Sequence, residues 1–322
     1  MTKKGLTISI ICEGESANYG EGYGNISTVK RINRADGYSY SYISRQALIY
    51  SLKENLDWIK TNTEVQGKVA QYSWDSNIEE YKEIDLFGYM KTKPKGVKAK
   101  KEENQKDESK SEKGQTKIRA AAARFSNAIS LEAYTGDMDF GTNLSLVNRV
   151  KGEEKGLLPY NSEIHKSYYT YTVTVDLDKI GEDDNDGINL ESDKKKERVI
   201  ELLKGIEFLH RDIKGRVENL NPIFAIGGVY DIKNPFFENR LELEEYKTLK
   251  ISTIKNVLKS IDRLNNQYGN GEKENNKTYI GCILGKFTNG DKIKEELATI
   301  EISDFFEKIS DEVEKYYASN KN

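Results

Sequence analysis

The residues best suited to bind a ligand lie in one segment, residues 16–48. It contains in order a glycine-rich stretch, a basic cluster and an alternating tyrosine run: Gly20, Gly22, Gly24; Lys30, Arg31, Arg34; Tyr38, Tyr40, Tyr42. Glycine lets backbone lie close to a ligand, cations pair with phosphates, and tyrosine rings offer faces on which bases stack. No titrating catalytic pair accompanies these residues. The segment therefore predicts a surface that holds a nucleic-acid strand before it predicts an active site.

Arg45 adds a second feature to this surface. It falls in the first turn of a predicted helix that Ser44 would cap, where a cation is mildly unfavourable at the positive end of the helix dipole. A phosphate bound at that helix start would make the position of Arg45 favourable, because the phosphate would pair with both the guanidinium and the free backbone N–H groups. Alternatively, Arg45 faces water or pairs with a neighbour such as Asp36, and the sequence leaves both possibilities open.

Other motifs fit a structural role better than a cofactor site. The glycines at 20–24 lack the G-x-G-x-x-G spacing, and Gly285-Lys286 is followed by Phe287 where a phosphate-binding loop requires a hydroxyl. The acidic run from Glu182 to Asp193 imitates a calcium loop, but a strand precedes it and Asn189 occupies an apolar position. We therefore expect no cofactor and no metal.

The histidines and cysteines carry little sign of catalysis. His165 precedes a predicted strand beside Lys166, where it could act as a general base on RNA, whereas His210 falls in a predicted helix and is expected to be structural or solvent-facing. Cys12 and Cys282 lie in apolar strand-like runs, which predicts buried, reduced thiols and fits a cytoplasmic protein.

The composition limits the class of protein further. A net charge of −3 excludes a uniformly basic nucleic-acid binder, so any such function must come from local separation of charge. No signal peptide is evident, and no apolar run approaches the ~20 residues of a membrane helix. We expect a soluble cytoplasmic protein with no membrane partner.

Hydrophobic periodicity predicts four strands and two helices in the order β-α-β-β-α-β. The predicted strands are Leu6–Cys12, Phe125–Tyr134, Tyr168–Leu177 and Pro222–Tyr230, and the predicted helices are Arg45–Ile59 and Lys194–Ile213. Two strands have predicted inward faces: Phe125, Ile129, Leu131 and Ala133; Tyr169, Tyr171, Val173, Val175 and Leu177. This order is the ferredoxin-like α+β arrangement also used by RNA-recognition domains, here with two long insertions.

The rest of the chain adds a basic segment and further regular structure. Residues 91–117 hold ten lysines against five acidic residues and no aromatic one, which predicts a disordered basic loop. After residue 231 the pattern predicts a helix at 253–264, a strand at Thr278–Phe287 and a C-terminal helix capped by Ser303.

Four stretches of the sequence resemble the DevR-type CRISPR backbone protein, the repeated subunit of the type I-B interference complex, Cascade. They are ANYGEGYGNIS…DGYSYSYISRQAL, IDLFGYM at Ile84–Met90, RFSNAISLEAY at Arg124–Tyr134 and DMDFGTN at Asp137–Asn143. The resemblance covers most of the chain up to about Asp231.

The resemblance implies a fold and an assembly. Family members have an RRM-like palm, a finger-like insertion and a thumb hairpin, and their copies stack head to tail along a guide RNA (crRNA). The corresponding ranges in this chain are 1–60 and 118–240 for the palm, 61–117 for the finger with its disordered basic loop, 134–167 for the thumb, and 241–322 for C-terminal helices and a strand that complete the palm. Expected partners are crRNA, target DNA, further copies of the chain and other Cascade subunits.

The resemblance also implies an RNA-binding set in which Met138 and Phe140 act as a wedge between bases. The expected RNA-binding residues are Asn18, Tyr19, Gly22, Lys30, Arg31, Arg34, Arg45, Gln46, Arg124, Asn127, Met138, Phe140, Asn143 and His165. Type III relatives cut RNA with an aspartate after the first strand. Here that loop carries only Glu13, Glu15 and Glu21, so we expect no cleavage.

Two alternatives remain at this stage. One is a metal-independent ribonuclease on the same fold, with His165 as base and Lys166 stabilising charge. The other is a free-standing RNA-binding or regulatory protein that never assembles.

Overall fold

The computed structural model describes residues 3–20, 22, 24–93, 114–150, 156–268 and 277–320. Within them, eight strands pair into one central sheet. In chain order these strands are β1 (Gly5–Gly14), β2 (Arg31–Asn33), β3 (Ser39–Ile43), β4 (Ala123–Phe125), β5 (Ala128–Ser130), β6 (Ser167–Asp176), β7 (Pro222–Tyr230) and β8 (Tyr279–Cys282). Their spatial order is β8-β7-β1-β6-β5-β3-β2, with β4 also beside β6. The four predicted strands thus lie in the order fourth, first, third, second, and neighbours are antiparallel.

The pairing of β1 with β6 forms the centre of the sheet. It runs without interruption from Gly5 opposite Asp176 to Gly14 opposite Ser167. Alternate residues of both strands enter the main core, as a period of two requires. The predicted inward face is confirmed, because Tyr169, Tyr171, Val173 and Val175 of β6 and Leu177 directly after it are all buried.

Helices cover the two faces of the sheet unequally. The helices are α1 (Arg45–Asn55), α2 (Lys82–Phe87), α3 (Leu144–Val147), α4 (Ser192–Glu207), α5 (Ile251–Tyr268), α6 (Gly290–Leu297) and α7 (Ile302–Ser319). Side chains of α1, α4 and α7 share the main core with β1 and β6. On the opposite face, α5 and α6 form a second apolar cluster with β7 and β8. The part of that face formed by β4, β5 and the first half of β1 therefore stays open.

Short hairpins project from this framework. Within the described residues they are Thr63–Gln66 with Val69–Tyr72, Tyr89–Lys93 with Gln115–Arg119, Asp137–Thr142 with Pro159–Ile164, Glu182–Asp183 with Ile188–Asn189, His210–Ile213 with Arg216–Asn219, and Leu243–Glu245 with Thr248–Leu249. The hairpin at 137–164 gains Ile26–Ser27 as a parallel third strand. The glycine-rich segment is thereby tied to this hairpin.

A buried ion network joins the 82–93 segment to the sheet layer. Asp85 is fully buried and accepts hydrogen bonds from Arg119 at 2.7 Å, from Arg198 at 2.5 Å and from the Gly181 N–H at 2.9 Å. Two guanidinium groups and a backbone donor satisfy this carboxylate, as a buried charge requires. The first insertion is therefore held on α4 by charged groups as well as by apolar contacts.

Three predicted helix ends are wrong. Helix α1 ends at Asn55, because Asp57 adopts a left-handed φ of 55°, and Ile59 is exposed rather than part of the buried stripe. Helix α4 ends at Glu207, and His210 lies in a hairpin strand whose turn has positive φ at Lys214 and Gly215. Ser303 lies inside α7, whose N-cap is Glu301.

The predicted strand Phe125–Tyr134 is also wrong as a single element. Its backbone breaks at Ser126 and Asn127 into β4 and β5, and the alanines before it are not helical. The break shifts the alternation, so Ala128 and Ser130 are buried while Ile129 is only half-buried. Leu131 and Ala133 are half-buried as well.

The later strand and the basic loop differ in their boundaries. The strand predicted to run to Phe287 ends at Cys282 and is followed by a short 3-10 turn at Leu284–Lys286. Of the predicted loop, residues 91–93 and 115–117 pair in a hairpin, and residues 94–113 lie outside the described residues. The disorder predicted there stays a prediction.

Both cysteines are buried free thiols, as predicted. Burial raises the pKa of Cys12 and of Cys282 to about 12. Across the described ranges, no helix combines the length and apolar character needed to cross a membrane.

Candidate nucleic-acid interface

The open face of the sheet forms a groove of about 1080 Å³. Its floor is made by the outward-facing hydroxyl residues of the central strands: Thr7, Ser126, Thr170, Thr172 and Thr174. One wall is basic, and the other follows β7 and holds Lys233, Asn234, Glu238, Asn239 and Glu242. A polar floor between polar walls suits a hydrated, charged polymer better than an apolar small molecule.

Six of the predicted RNA-binding residues meet on the basic wall, although they come from three separate parts of the chain. They are Lys30, Arg34, Arg45, Gln46, Arg124 and Asn127. The pairing of β3 with β5 and of β4 with β6 places these segments side by side. Four cations on one side of an open trough can pair with a row of phosphates.

The opposite wall was missed by sequence reasoning. It follows the buried strand β7, in the stretch from Lys233 to Glu242. Its polar residues are interrupted by Pro235, Phe236 and Phe237, so no uniformly polar run marks this wall in the sequence. Glu238 and Glu242 make this wall more acidic than the wall that carries Arg45.

More of the backbone N–H groups at the start of α1 are hydrogen-bonded within the protein than we expected. The Arg45 N–H donates to Asn127 Oδ1 at 2.9 Å, and the Ala47 N–H donates to Ser44 Oγ at 3.3 Å. Ser44 is confirmed as the cap, and its hydroxyl donates to Asn18 Oδ1 at 2.8 Å. Two donors of the first turn are thus already paired, and a phosphate here would rely mainly on the Arg45 guanidinium.

The pairing suggested between Arg45 and Asp36 is not made. Asp36 instead accepts hydrogen bonds from the Tyr38 N–H at 2.9 Å and from the Tyr40 hydroxyl at 2.7 Å. In the part of the chain that the structure describes, no ion pair holds the Arg45 guanidinium. The Arg45 side chain is exposed at the edge of the groove and available to an anion.

The three alternating tyrosines have different environments and do not form one platform. Tyr40 is buried under the Arg34 guanidinium, whose carbon lies 4.0 Å from the ring centroid. Its hydrogen bond to Asp36 raises the pKa of Tyr40. Tyr38 is exposed, and only Tyr42 lines the groove. Tyr42 is therefore the tyrosine of this run placed to contact a bound strand.

Arg124 stands at the far end of the basic wall and is partly neutralised. Its guanidinium pairs with Asp176 at 2.6 Å, and the same carboxylate lies 3.6 Å from Lys233 on the other wall. Asp176 thus links the two walls at this end. The remaining positive charge of the basic wall comes mainly from Lys30, Arg34 and Arg45.

Asn18, Arg31 and Asn143 lie outside the groove. Asn18 supports Ser44 at the helix start. The guanidinium of Arg31 lies 4.6 Å from the Tyr134 ring centroid and 3.8 Å from Glu163. Asn143 Oδ1 accepts a hydrogen bond from the Leu158 N–H at 2.7 Å, which holds the end of the 137–164 hairpin together. These contacts give each of the three residues a structural role.

Tyr19 and Gly22 lie in the glycine-rich segment, also outside the groove. The Tyr19 ring is half-buried, with the Lys214 ammonium 4.6 Å from its centroid. A Cβ at Gly22 would approach the Ile26 carbonyl oxygen to 2.9 Å, so this glycine allows the segment to fold back on itself.

Met138 and Phe140 are exposed on the 137–164 hairpin. The exposed fractions are 49% for Met138 and 64% for Phe140. Their spacing of two residues on one strand places them on the same face of the hairpin. Two large apolar side chains facing water on a projecting hairpin are typical of a contact surface.

His165 is buried, and this contradicts its predicted contact with RNA. Only 4% of its surface is exposed, and its Nδ1 lies 2.7 Å from Ser41 Oγ. Tyr134 packs edge-on against the ring at 5.2 Å, and burial lowers the pKa of His165. The same burial argues against the ribonuclease alternative with His165 as base, since a buried imidazole is poorly placed to reach a phosphodiester.

The acidic residues after the first strand are engaged in ion pairs. Glu13 belongs to β1 and pairs with Lys286 at 2.8 Å, and Glu15 pairs with Arg216 at 3.0 Å. Glu21 lies outside the described residues. Among the described residues, no three histidine, cysteine, aspartate or glutamate side chains lie close enough together to hold a metal ion, and Asp186 of the calcium-like loop pairs with Lys117.

Comparison with known proteins identifies relatives of the chain. Residues 6–250 match the family described as CRISPR-associated negative auto-regulator DevR/Csa2. A CRISPR-associated protein Cas7/Cst2/DevR of Myxococcus xanthus (strain DK1622) is 26% identical over 171 residues, which cover 49% of this chain and 52% of that protein. The match thus spans about half the length of this curated relative.

Two solved structures share the fold. One chain, from a structure described as a CRISPR RNA-guided surveillance complex, pre-nicking, has a TM-score of 0.51 and 13% identity, with 87% of this chain and 92% of that chain covered. Another, from a structure described as a CRISPR RNA-guided surveillance complex, has a TM-score of 0.53 and 11% identity, with coverage of 98% and 99%. Nearly the whole chain is therefore similar in fold to these subunits.

Proposed function

The chain belongs to the CRISPR-associated DevR/Csa2 family, and on that basis we propose that it is a non-catalytic subunit that binds guide RNA (crRNA) in a CRISPR RNA-guided surveillance complex of type I-B. The observation that carries the proposal is the meeting of six expected RNA-binding residues on one wall of the groove. These residues come from segments that are about 80 positions apart in the sequence, so their convergence is a property of the fold. Sequence specificity in such a complex comes from the pairing of guide and target.

The chemistry of the groove favours a single strand of RNA. Lys30, Arg34 and Arg45 would pair with backbone phosphates, which carry no sequence information. The half-buried hydroxyls of Thr170 and Thr174 on the floor can donate to or accept from ribose and base edges. Tyr42 adds one aromatic face on the same wall.

The architecture supports division of the chain into a palm, a finger and a thumb. The strand order fourth, first, third, second is that of a ferredoxin-like sheet, which supports an RRM-like palm from residues 1–60 and 118–240. The finger would be residues 61–117, tied to the palm through Asp85, and the thumb the hairpin region 134–167. Residues 241–322 add β8 and the last helices to the palm.

Copies of the chain would assemble head to tail along the guide. Such contacts are heterologous and need not close into a ring, which suits a filament on RNA. The exposed Met138 and Phe140 of the thumb would meet bases or the neighbouring copy. In this arrangement the filament presents the guide to target DNA and to other Cascade subunits.

The groove can be tested with a double variant, Arg34→Ala with Arg45→Ala. Each lost phosphate contact lowers the slope of log affinity against log salt by about 0.7 for a single strand, so we expect a slope smaller by about 1.4. Fluorescence anisotropy with a uridine homopolymer at several salt concentrations measures both affinity and slope. A matched control is Lys204→Ala with Lys308→Ala, because both lysines are exposed on the helices of the opposite face. Unchanged affinity and slope in the groove variant would contradict the proposal.

Assembly requires a separate measurement. Mass determined by light scattering, with guide RNA of increasing length, should rise in steps of one protein copy. A constant ratio of one protein to one RNA would leave RNA binding intact and contradict the filament.

A further inference from the structure

A second basic surface lies on the same face of the sheet, beyond the groove. Lys166, Lys247 and Lys286 surround the carboxylate of Glu13 near the ends of β1 and β6, and we call them the lysine cluster. The ammonium of Lys286 lies 2.8 Å from the carboxylate and that of Lys166 3.8 Å. The Lys247 ammonium lies 5.5 Å from the ring centroid of Tyr168, the strand partner of Glu13.

Strand register places the lysine cluster in line with the groove floor. Thr7 is opposite Thr174 and Glu13 is opposite Tyr168 in the uninterrupted pairing of β1 with β6. Six residues separate Thr7 from Glu13, an even number, so both side chains face the same way. Thr170, at the nearer end of the floor, is two residues from Tyr168 on β6, so at about 3.3 Å per residue the cluster begins roughly 7 Å beyond the floor.

The cluster carries more positive charge than its own structure needs. Three ammonium groups face one carboxylate, and the hydrogen bond from Lys286 is the main cause that lowers the pKa of Glu13. One lysine would satisfy that carboxylate, while the other two add self-repulsion, which Glu132 beside Tyr168 offsets only in part. The exposed fractions, 68% for the side chain of Lys166 and 44% for that of Lys286, leave both accessible to a ligand.

The backbone that carries these lysines is fixed even though their side chains are exposed. The buried Tyr168 hydroxyl donates to the Lys286 carbonyl, and the Thr288 N–H donates to the Lys247 carbonyl at 3.0 Å. Lys247 is held at a left-handed φ of 53°. Exposed cations on an ordered framework lose little entropy when they bind a polyanion.

An aromatic residue stands beside the cluster. Tyr246 is 69% exposed, and the Lys247 ammonium lies 5.3 Å from its ring centroid. A cation next to an exposed ring can hold a phosphate and stack the adjoining base together.

We propose that the lysine cluster binds backbone phosphates of the same RNA strand that occupies the groove, and that the Glu13 carboxylate takes the place of a phosphate when RNA is absent. This proposal rests on the proposed function. It extends the RNA path along β6 to residues 246–247 and 286, and of these only residue 286 lies after the family match, which ends at residue 250.

The test compares short and long RNA with two opposite variants in the full-length chain. Lys166→Ala with Lys286→Ala should weaken binding of a uridine homopolymer of about 15 nucleotides roughly 3- to 10-fold and reduce the salt slope by about 1.4. Binding of a homopolymer of about 5 nucleotides, long enough only for the groove, should not change. Glu13→Gln removes the competing anion and should strengthen binding of the longer RNA about 2- to 5-fold.

The outcomes separate this proposal from the function on which it rests. If Arg34→Ala with Arg45→Ala weakens both RNAs while the lysine variant binds the longer RNA like wild type, the cluster proposal is wrong and the groove stands. An equal loss for both lengths would also overturn it, because the cluster would then not lie beyond the groove. If neither variant weakens binding, the proposed function itself fails.

Discussion

Asn127 Oδ1 accepts a hydrogen bond from the Arg45 N–H at 2.9 Å, across 82 residues of sequence. The contact joins the break between β4 and β5 to the first turn of α1. It therefore links the irregular backbone of one strand to the position of a groove arginine. This is a structural reason for an asparagine at 127, beside its place on the basic wall.

We expect Asn127→Ala to lower the free energy of unfolding by about 1 kcal/mol, since a capping acceptor for a helix N–H is lost. Urea denaturation followed by circular dichroism measures this. Affinity for single-stranded RNA should fall as well, because Arg45 is no longer held in place. Gln46→Ala is the matched control, an exposed groove neighbour whose removal should change stability by less than about 0.5 kcal/mol. Equal stability of the two variants would contradict the capping role.

Asp85→Asn should be among the most destabilising substitutions in the chain. It leaves Arg198 and Arg119 buried with one neutral partner in place of a carboxylate. Removal of one partner from a buried ion network costs about 3–5 kcal/mol. Urea denaturation should show this loss, whereas Glu197→Gln, which removes an exposed partner of Lys82, should cost less than about 1 kcal/mol. Similar losses in the two variants would show that the buried network is unimportant.

His165 should make the protein less stable in mild acid. Burial lowers the pKa of His165 below its usual 6.5, so the unfolded chain takes up a proton more readily than the folded chain. The stability associated with the neutral imidazole is complete above about pH 6.5 and is lost as the pH falls toward the folded-state pKa.

The variant His165→Asn isolates this contribution, because an amide can still meet Ser41 but does not titrate. The difference in free energy of unfolding between about pH 7.5 and about pH 5.5 should be smaller in the variant than in wild type. If the difference between the two pH values is the same in the variant and in wild type, groups other than His165 cause the loss of stability in acid.

The two thiols should be unreactive in the folded protein. Cys12 and Cys282 are buried, and a pKa of about 12 leaves almost no thiolate at neutral pH. Titration with a thiol reagent should label neither cysteine until denaturant unfolds the chain, and then both. Labelling of Cys282 under native conditions would indicate that β8 opens at the edge of the sheet.

The sequence was sufficient for elements whose periodicity is set by burial alone. The inward residues of β6 from Tyr169 to Val175 are all buried as predicted, and β7 was predicted with its observed ends, because long buried strands admit few registers. Elements that depend on distant contacts were not predictable. At the break, Asn127 contacts the first turn of α1 and Ser126 bonds to Thr172 of β6, and no local pattern announces contacts so far away in the sequence.

In the candidate site too, some residues could be predicted from local sequence and others depend on distant contacts. Residue type and clustering identified Lys30, Arg34 and Arg45, because cations near glycine and tyrosine are informative by themselves. The burial of His165 could not be predicted from the sequence, because the residues around it, Ser41, Tyr134 and Tyr169, come from different elements. The wall at 233–242 was hidden too, because only the folded sheet brings it opposite Arg124.

The exposed pair on the 137–164 hairpin leads to a prediction that separates function from stability. Met138→Ser with Phe140→Ser should leave the free energy of unfolding within about 0.5 kcal/mol, because both side chains already face water. If these side chains form the expected wedge between bases, RNA with a 2-aminopurine label should brighten on binding to wild type and much less on binding to the variant. Val217→Ser on the 210–219 hairpin is a matched control, since Val217 is 67% exposed but lies on a different hairpin. Full brightening with the double variant would exclude the wedge, and a loss of stability above about 1 kcal/mol would show that the pair packs within the fold instead.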